Sequence, residues 1–393
     1  MKIAILGGAG QTAQCAVRDL LRERKGVELV VVGDHDTEGL QRLKEKLEDD
    51  GRVEFKKVDV THHTETASAI KGCDVVVNGV QYYFNLDVME AALEAEVHYL
   101  DFGGLYHTTL KQIGQFSERF RRKRLLGVVG MGAQPGITNL MVKHALSRLS
   151  RADSVEILDG WRDMTKSQSP MYFAWSPMTF FDESEQEAIV FEDGKYLVRP
   201  PFSDPETVRF PKPVGKVDVF LALHSELATL PVSFARYGLK RLVWKEGGAD
   251  FWKIKLLADL GLTSKEGFKI DGAEIAPRRF FLKLLESKGM LKMPEDVIPD
   301  DYEVTRVIAK GRQGVKKRKI VVDAFFPPYK PWKVSCSQYN VGVPGSIAAQ
   351  MIALRCDSFP KGVFPPEALF DPQEFFAELS MRGIKVSTRS LTF

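Results

Sequence analysis

Cysteine is scarce: four residues, Cys15, Cys73, Cys336 and Cys356, stand far apart in a chain of 393. They form no C-x-x-C pair, which excludes a zinc ribbon or a dithiol redox motif. Reduced thiols in a cytoplasmic protein are expected instead. An excess of either charge is also lacking. Lys and Arg number 55 against 52 Asp and Glu, a net charge of +3. So small a balance gives no whole-protein field to draw in nucleic acid or a membrane surface. Long apolar runs are missing too, and nothing approaches the roughly 18 residues of a membrane-spanning helix. The opening Met1–Gly8 is apolar only briefly, too short for a signal peptide. His62-His63 has no third ligand at recognisable spacing, so no metal site is expected. The 32 glycines and 20 prolines show no periodicity, and 44% hydrophobic residues exclude disorder as the dominant state. What remains is a globular chain long enough for two or three domains.

The first 150 residues alternate strand and helix. Lys2–Leu6, Val27–Val32, Val53–Val58, Asp74–Asn78, Val97–Asp101 and Leu125–Val129 read as strands, the second nearly all β-branched. Helical spacing appears at Gln11–Arg24, Thr37–Asp49, Thr64–Lys71, Leu86–Ala95 and Thr108–Lys123. Such alternation predicts a Rossmann-type doubly wound parallel sheet over residues 1–133. From about Arg151 the texture changes to longer strands at Val155–Trp161, Val217–His224, Tyr302–Lys310 and Lys319–Phe325. Arg199–Pro213 reads as a proline-rich surface loop. The expected architecture is α/β, with an α+β substrate-binding and dimerisation domain over 134–340. A C-terminal segment, 341–393, returns to the first domain.

The strongest motif is Gly8-Ala9-Gly10-Gln11-Thr12-Ala13, a G-x-G-x-x-A between a predicted strand and helix. The first glycine permits a tight turn, the second lets backbone approach a pyrophosphate, and Ala13 lets helix and strand pack closely. The phosphates then meet free N–H groups at a helix N-terminus. Asp34 closes the second strand, where a carboxylate takes ribose hydroxyls and repels a 2′-phosphate. Its sequence neighbours hold no arginine, so NAD is expected over NADP. Asp36 suits a helix cap. Asp59 and Val60 follow the third strand and face the adenine in this reading, with a solvated loop as the bland alternative. Val80 and Gln81 follow the fourth strand on the same ligand-binding edge. The basic runs Arg119–Arg124 and Lys316–Lys319 read as solvated surface rather than a nucleic-acid patch.

Gly130-Met131-Gly132-Ala133-Gln134-Pro135-Gly136-Ile137-Thr138-Asn139 resembles the G-x-x-P-G-x-x-N segment of the saccharopine dehydrogenase and lysine 6-dehydrogenase family. Tyr82–Asn85, Val97–Gly104 and the tail Gly362–Glu367, Phe375–Leu379 and Arg382–Ile384 are similar to segments of that family. His224-Ser225-Glu226 and Thr229-Leu230-Pro231 look most like its lysine 6-dehydrogenase-like branch. The resemblance spans nearly the whole chain. It implies an NAD-dependent dehydrogenase acting on a C–N bond of an amino acid or related amine. Saccharopine or carboxynorspermidine is the alternative substrate, and an NAD-binding regulator without turnover the alternative of another class. A small-molecule amine is the expected partner, and a homodimer the expected assembly.

Hydride transfer at a C–N carbon requires a neutral amine, and so a base. His224, at the end of a predicted strand, is the first candidate, with Ser225 and Glu226 beside it. Asp101 ends the fifth strand, where a carboxylate stabilises an ammonium or iminium. Tyr83 stands beside Tyr82 near the nicotinamide. Gly136, Thr138 and Asn139 open a helix whose free N–H groups suit a carboxylate or carboxamide.

Overall fold

The computed structural model describes every residue except 23–25, 49, 167–172, 174–175, 249–250, 292, 295–296 and 393. The helix ends expected at Arg24 and Asp49 therefore lie outside the described residues. Six strands come from the first third of the chain: β1 (Lys2–Leu6), β2 (Leu29–Asp34), β3 (Val53–Lys57), β4 (Val75–Asn78), β5 (His98–Asp101) and β6 (Leu126–Val128). The middle supplies β7 (Arg151–Asp163), β8 (Ala188–Glu192), β9 (Lys195–Arg199), β10 (Glu206–Arg209), β11 (Lys216–Leu221) and β12 (Arg241–Gly248). After them come β13 (Phe268–Ile270), β14 (Ala273–Ile275), β15 (Asp301–Gln313), β16 (Lys316–Phe326), β17 (Gly362–Phe364) and β18 (Lys385–Thr392).

The first sheet is parallel throughout, in the order β17-β6-β5-β4-β1-β2-β3. Its central strands are buried on both faces, which is why they read as unbroken Ile and Val runs. The chain winds outward from β1 to β3, then restarts at β4 on the other side. That reversal opens a crevice at the carboxyl ends of β1 and β4, the place where such sheets bind ligands. Asp36 caps the helix Thr37–Lys46, accepting from Gly39 N at 2.9 Å.

The second sheet has nine strands, with the main path β10-β11-β12-β7-β15-β16-β18 and β8–β9 attached to β12. One face carries Val155 and Ile157 on β7 and Val307 and Ala309 on β15, all buried in a core shared with the helix Ile137–Leu146. Further along, the same face turns polar. Asp159 pairs in register with Glu246 on β12 and Thr305 on β15, and Trp161 pairs with Gly248 and Glu303. The period of two along each strand puts all of these on one side of the sheet.

Several expectations shift. Arg199–Pro213 is not all loop, because β10 lies within it and pairs with β11. Lys316–Lys319 begins β16 rather than forming the turn, which falls at Gly314 with φ +58°. The returning tail serves both sheets. The helix Cys336–Arg355 starts ahead of Val341 and packs on the helix Ala13–Arg22. At Gly342 a Cβ would stand 2.4 Å from Thr12 O, so glycine lets those two backbones meet. β17 then joins the first sheet, whereas β18 joins the second through β16.

Candidate active site

The Gly-rich turn comes first. Gly7 has φ +72°, and Gly10 N donates to Gly7 O at 2.9 Å, closing the turn. A Cβ on Gly8 would stand 2.4 Å from Val32 Cγ1. The turn therefore sits flush on the sheet; Gln14 N and Cys15 N donate to Gly10 O and Thr12 O, and the N–H groups of Gln11, Thr12 and Ala13 are left for a ligand at the helix N-terminus. Asp34 accepts from Ala9 N at 2.9 Å and Asp36 N at 3.0 Å, tying the end of β2 to the turn. Ala13 is buried, as close packing requires. A dinucleotide fits this cradle: its pyrophosphate meets N–H donors, and lone pairs of Asp34 remain for ribose hydroxyls. Asp59 is exposed and spent on its own loop, accepting from Thr61 N at 3.0 Å and Thr61 Oγ1 at 2.7 Å. Val60 is buried in the core on the opposite face of the sheet.

A cavity of about 260 Å³ opens between the two sheets. The first domain contributes Thr12, Gly79, Val80, Gln81, Tyr82 and the loop Phe102–Leu105. The second contributes His224, Ser225, Trp244, Trp161 and four carboxylates: Asp159, Glu183, Glu246 and Glu303. No lysine or arginine lines it among the described residues.

His224 is fixed from two sides. Its ring stacks on Trp244, with centroids 4.0 Å apart and planes 16° from parallel. Its Nδ1 meets Glu226, whose other oxygen accepts from Thr138 Oγ1 at 2.6 Å. Burial works against an imidazolium, yet Glu226 and Glu246 outweigh it and hold His224 above the ordinary imidazole range. With Nδ1 engaged, Nε2 is the nitrogen left for a substrate proton. Burial also raises Glu183 and Glu246, and Asp159 is pushed up by burial and by Glu303 beside it. Glu303 is raised to about 7, chiefly by burial.

Other expected site residues fall elsewhere. Asp101 is 1% exposed and lies outside the cavity lining. Its oxygens accept from Tyr99 Oη at 2.9 Å, Gln112 Nε2 at 2.6 Å and Gly130 N at 2.7 Å. It anchors the loop after β6. Tyr83 is 38% exposed and its hydroxyl meets Asp182; Tyr82, not Tyr83, borders the cavity. Gly136, Thr138 and Asn139 are buried behind the His224–Glu226 unit. Asn139 accepts from Gly136 N at 3.0 Å and donates to Glu367 at 2.8 Å. Of the expected substrate contacts, only Ser225 reaches the cavity itself. Gln11 bonds Gln338 at 2.8 Å, locking the Gly-rich turn to the returning helix.

Asp159, Glu183, Glu246 and Glu303 went unforeseen, along with Trp244 and Asn340. A period-two pattern at Asp301, Glu303 and Thr305 and at Asp159 and Trp161 was present in the sequence. Nothing local marked those polar positions as facing one cavity.

A Rossmann-type sheet, a Gly-rich turn and a His–carboxylate cleft define an NAD(P)-dependent oxidoreductase. Residues 3–125 match the saccharopine dehydrogenase NADP binding domain, and residues 132–384 the saccharopine dehydrogenase C-terminal domain. The chain belongs to the saccharopine dehydrogenase family and is an NAD(P)-dependent amine dehydrogenase. It is 23% identical to a carboxyaminopropylagmatine dehydrogenase of Synechocystis, over 85% of this chain and 84% of that one. It is also 23% identical to a carboxynorspermidine synthase of Vibrio alginolyticus, over 88% and 85%. The fold is similar to saccharopine dehydrogenase (L-Glu forming) of Saccharomyces cerevisiae, with a TM-score of 0.76, 16% identity and 99% of both chains covered. Homospermidine synthase of Legionella pneumophila gives a TM-score of 0.68 at 15% identity, over 99% and 91%.

Proposed function

We propose that the enzyme forms or cleaves the secondary-amine C–N bond of a polyamine bearing a carboxylate. The observation that carries this reading is the lining of the cleft: four carboxylates and, among the described residues, no lysine or arginine. A substrate with net positive charge is the complement of that wall. The names of the two curated relatives denote such carboxylated polyamines. Lysine, the substrate of the lysine 6-dehydrogenase-like branch, has a smaller net charge. An NAD-binding regulator has no use for a stacked, carboxylate-held histidine.

The bound dinucleotide supplies or accepts the hydride at the C–N carbon. His224 handles the proton. In the reducing direction its Nε2–H donates to the nitrogen as the imine becomes an amine; in the oxidising direction neutral Nε2 takes that proton. Glu226, steadied by Thr138, fixes the tautomer and stabilises the imidazolium. Glu246 and Glu183 stabilise the positive charge on an iminium or ammonium. Asp34 favours NAD over NADP in this reading. Helix geometry also brings Arg42 within 3.5 Å of Asp36, a cation that the immediate sequence neighbours of Asp34 do not reveal. Asp34→Ala is expected to weaken NAD binding and narrow the gap between the cofactors.

The test is oxidation of NADH and NADPH with propane-1,3-diamine plus a four-carbon amino-acid aldehyde, beside reduction of NAD by lysine. Turnover with the diamine and aldehyde is expected. Turnover with lysine alone would return the enzyme to the lysine 6-dehydrogenase reading.

A further inference from the structure

We infer that Asp159 and Glu303, bridged by Gln134, form a subsite for a second ammonium group of the substrate, apart from the amine that reacts beside His224. The inference rests on the proposed function for the reacting end alone.

Three observations carry it. The first is the state of the pair. Gln134 Nε2 donates to Asp159 at 3.1 Å and also to Glu303. Thr305 Oγ1 donates to Asp159 at 2.6 Å, and Asn340 Nδ2 to Glu303 at 2.9 Å. Every one of these donors is neutral, and no Lys, Arg or His pairs with either carboxylate among the described residues. Glu303, 5% exposed, and the half-buried Asp159 stand around one amide without a counter-ion, and a charge withdrawn from water without a partner is costly.

The second observation is independent of the acids. Asn340 is 1% exposed and lines the same cavity, yet its Oδ1 has no hydrogen-bond partner. Beside the pair the unused capacity is acceptor, whereas the other unpartnered groups of the cavity, Ser225 Oγ and Trp244 Nε1, stand at the His224 end. An ammonium brings three donors and no acceptor, so it meets two carboxylates and an amide oxygen without conflict. A substrate carboxylate or hydroxyl oxygen would add an acceptor where acceptors already crowd.

The third is placement. His224 stacks on Trp244 of β12, whereas Asp159 and Glu303 stand on β7 and β15, the next two strands. Neighbouring strands lie about 4.8 Å apart, so carboxylates are set out in steps of that order along the cleft. Ammonium groups joined by a short methylene chain repeat on the same scale. Trp161, which lines the same cavity and pairs in register with Glu303, offers an apolar surface for the methylenes.

Calorimetry on the enzyme loaded with NAD tests the subsite, using norspermidine and propylamine as probes. Glu303→Gln and Asp159→Asn keep size and hydrogen bonding while removing one charge each. Each is expected to weaken norspermidine binding at least tenfold and leave propylamine and NAD affinity unchanged, the latter reporting an intact fold. Wild-type affinity for norspermidine in both variants would overturn the subsite, as would a wild-type enzyme that binds norspermidine no better than propylamine. Norspermidine binding lost in the variants, with no turnover of any diamine by the wild type, would retain the subsite and remove the proposed function. Turnover of propane-1,3-diamine and propylamine at equal kcat/KM would retain that function and remove the subsite.

Discussion

The two walls of the cleft present different kinds of groups to a ligand. The first domain uses main chain: a glycine turn flush on the sheet and the open N–H groups of one helix. The second uses side chains standing in register on β12, β7 and β15, with His224 held by a stack and a carboxylate. A main-chain site depends on a few adjacent residues with the right φ and ψ. A side-chain row depends on strand register across distant parts of the chain. The first should therefore fail all at once, and the second group by group.

The largest expected effect is at the turn. Gly8→Val drives a branched side chain into Val32 and should abolish dinucleotide binding by calorimetry, with overpacking of about 1–3 kcal/mol in a denaturant titration. Retained NAD affinity would break the contrast between the walls. Next is His224→Ala, expected to lower kcat about 10²–10⁴-fold while NAD affinity holds. If kcat stays near normal, the proton passes through Glu246 instead.

A subtler change is Glu226→Gln. Glu226 raises the His224 pKa, so its loss should lower it. In the oxidising direction the base must be neutral, so the acid limb of the pH–rate profile should move to lower pH. A limb that stays in place would separate Glu226 from the chemistry. Asp101→Asn addresses the anchor beneath the loop after β6. It should cost about 1–3 kcal/mol of stability by weakening a buried network, with kcat of the folded enzyme little changed.

The smallest effect concerns Glu303. Its folded pKa of about 7 lies above that of an ordinary carboxylate. Between those two values the folded state binds more protons than the unfolded one, so the group's contribution to stability falls as pH rises and stays low above about 7. Glu303→Gln should therefore melt a few degrees higher than wild type at pH 8, and alike at pH 4. Saturating norspermidine should shrink the difference at pH 8.

Much of the first wall was legible because its determinants are local. Unbroken Val and Ile runs mark strands covered on both faces, the G-x-G-x-x-A marks the turn, and Asp36 marks a cap. His224 was also visible, at the end of an apolar run and followed by Ser225 and Glu226. Asp101 reads differently in sequence and structure, since a carboxylate at a strand end in the right crevice is where a group that stabilises an ammonium or iminium is expected. Only the packing of Tyr99, Gln112 and Gly130 around it shows that its oxygens are already taken. Thr138 and Asn139 were found for their place in a motif, but their direction, toward Glu226 and Glu367 rather than the cleft, follows from the helix lying on the second sheet.

By itself the sequence determined the parallel sheet and the Gly-rich turn and marked His224 as a candidate, each a matter of neighbouring residues and their period. The tertiary structure alone decided that Glu246, Asp159 and Glu303 face one cavity with Gln134 and Asn340. Strand pairing sets that convergence, and a slip of one residue in register would turn the whole row to the other face of the sheet.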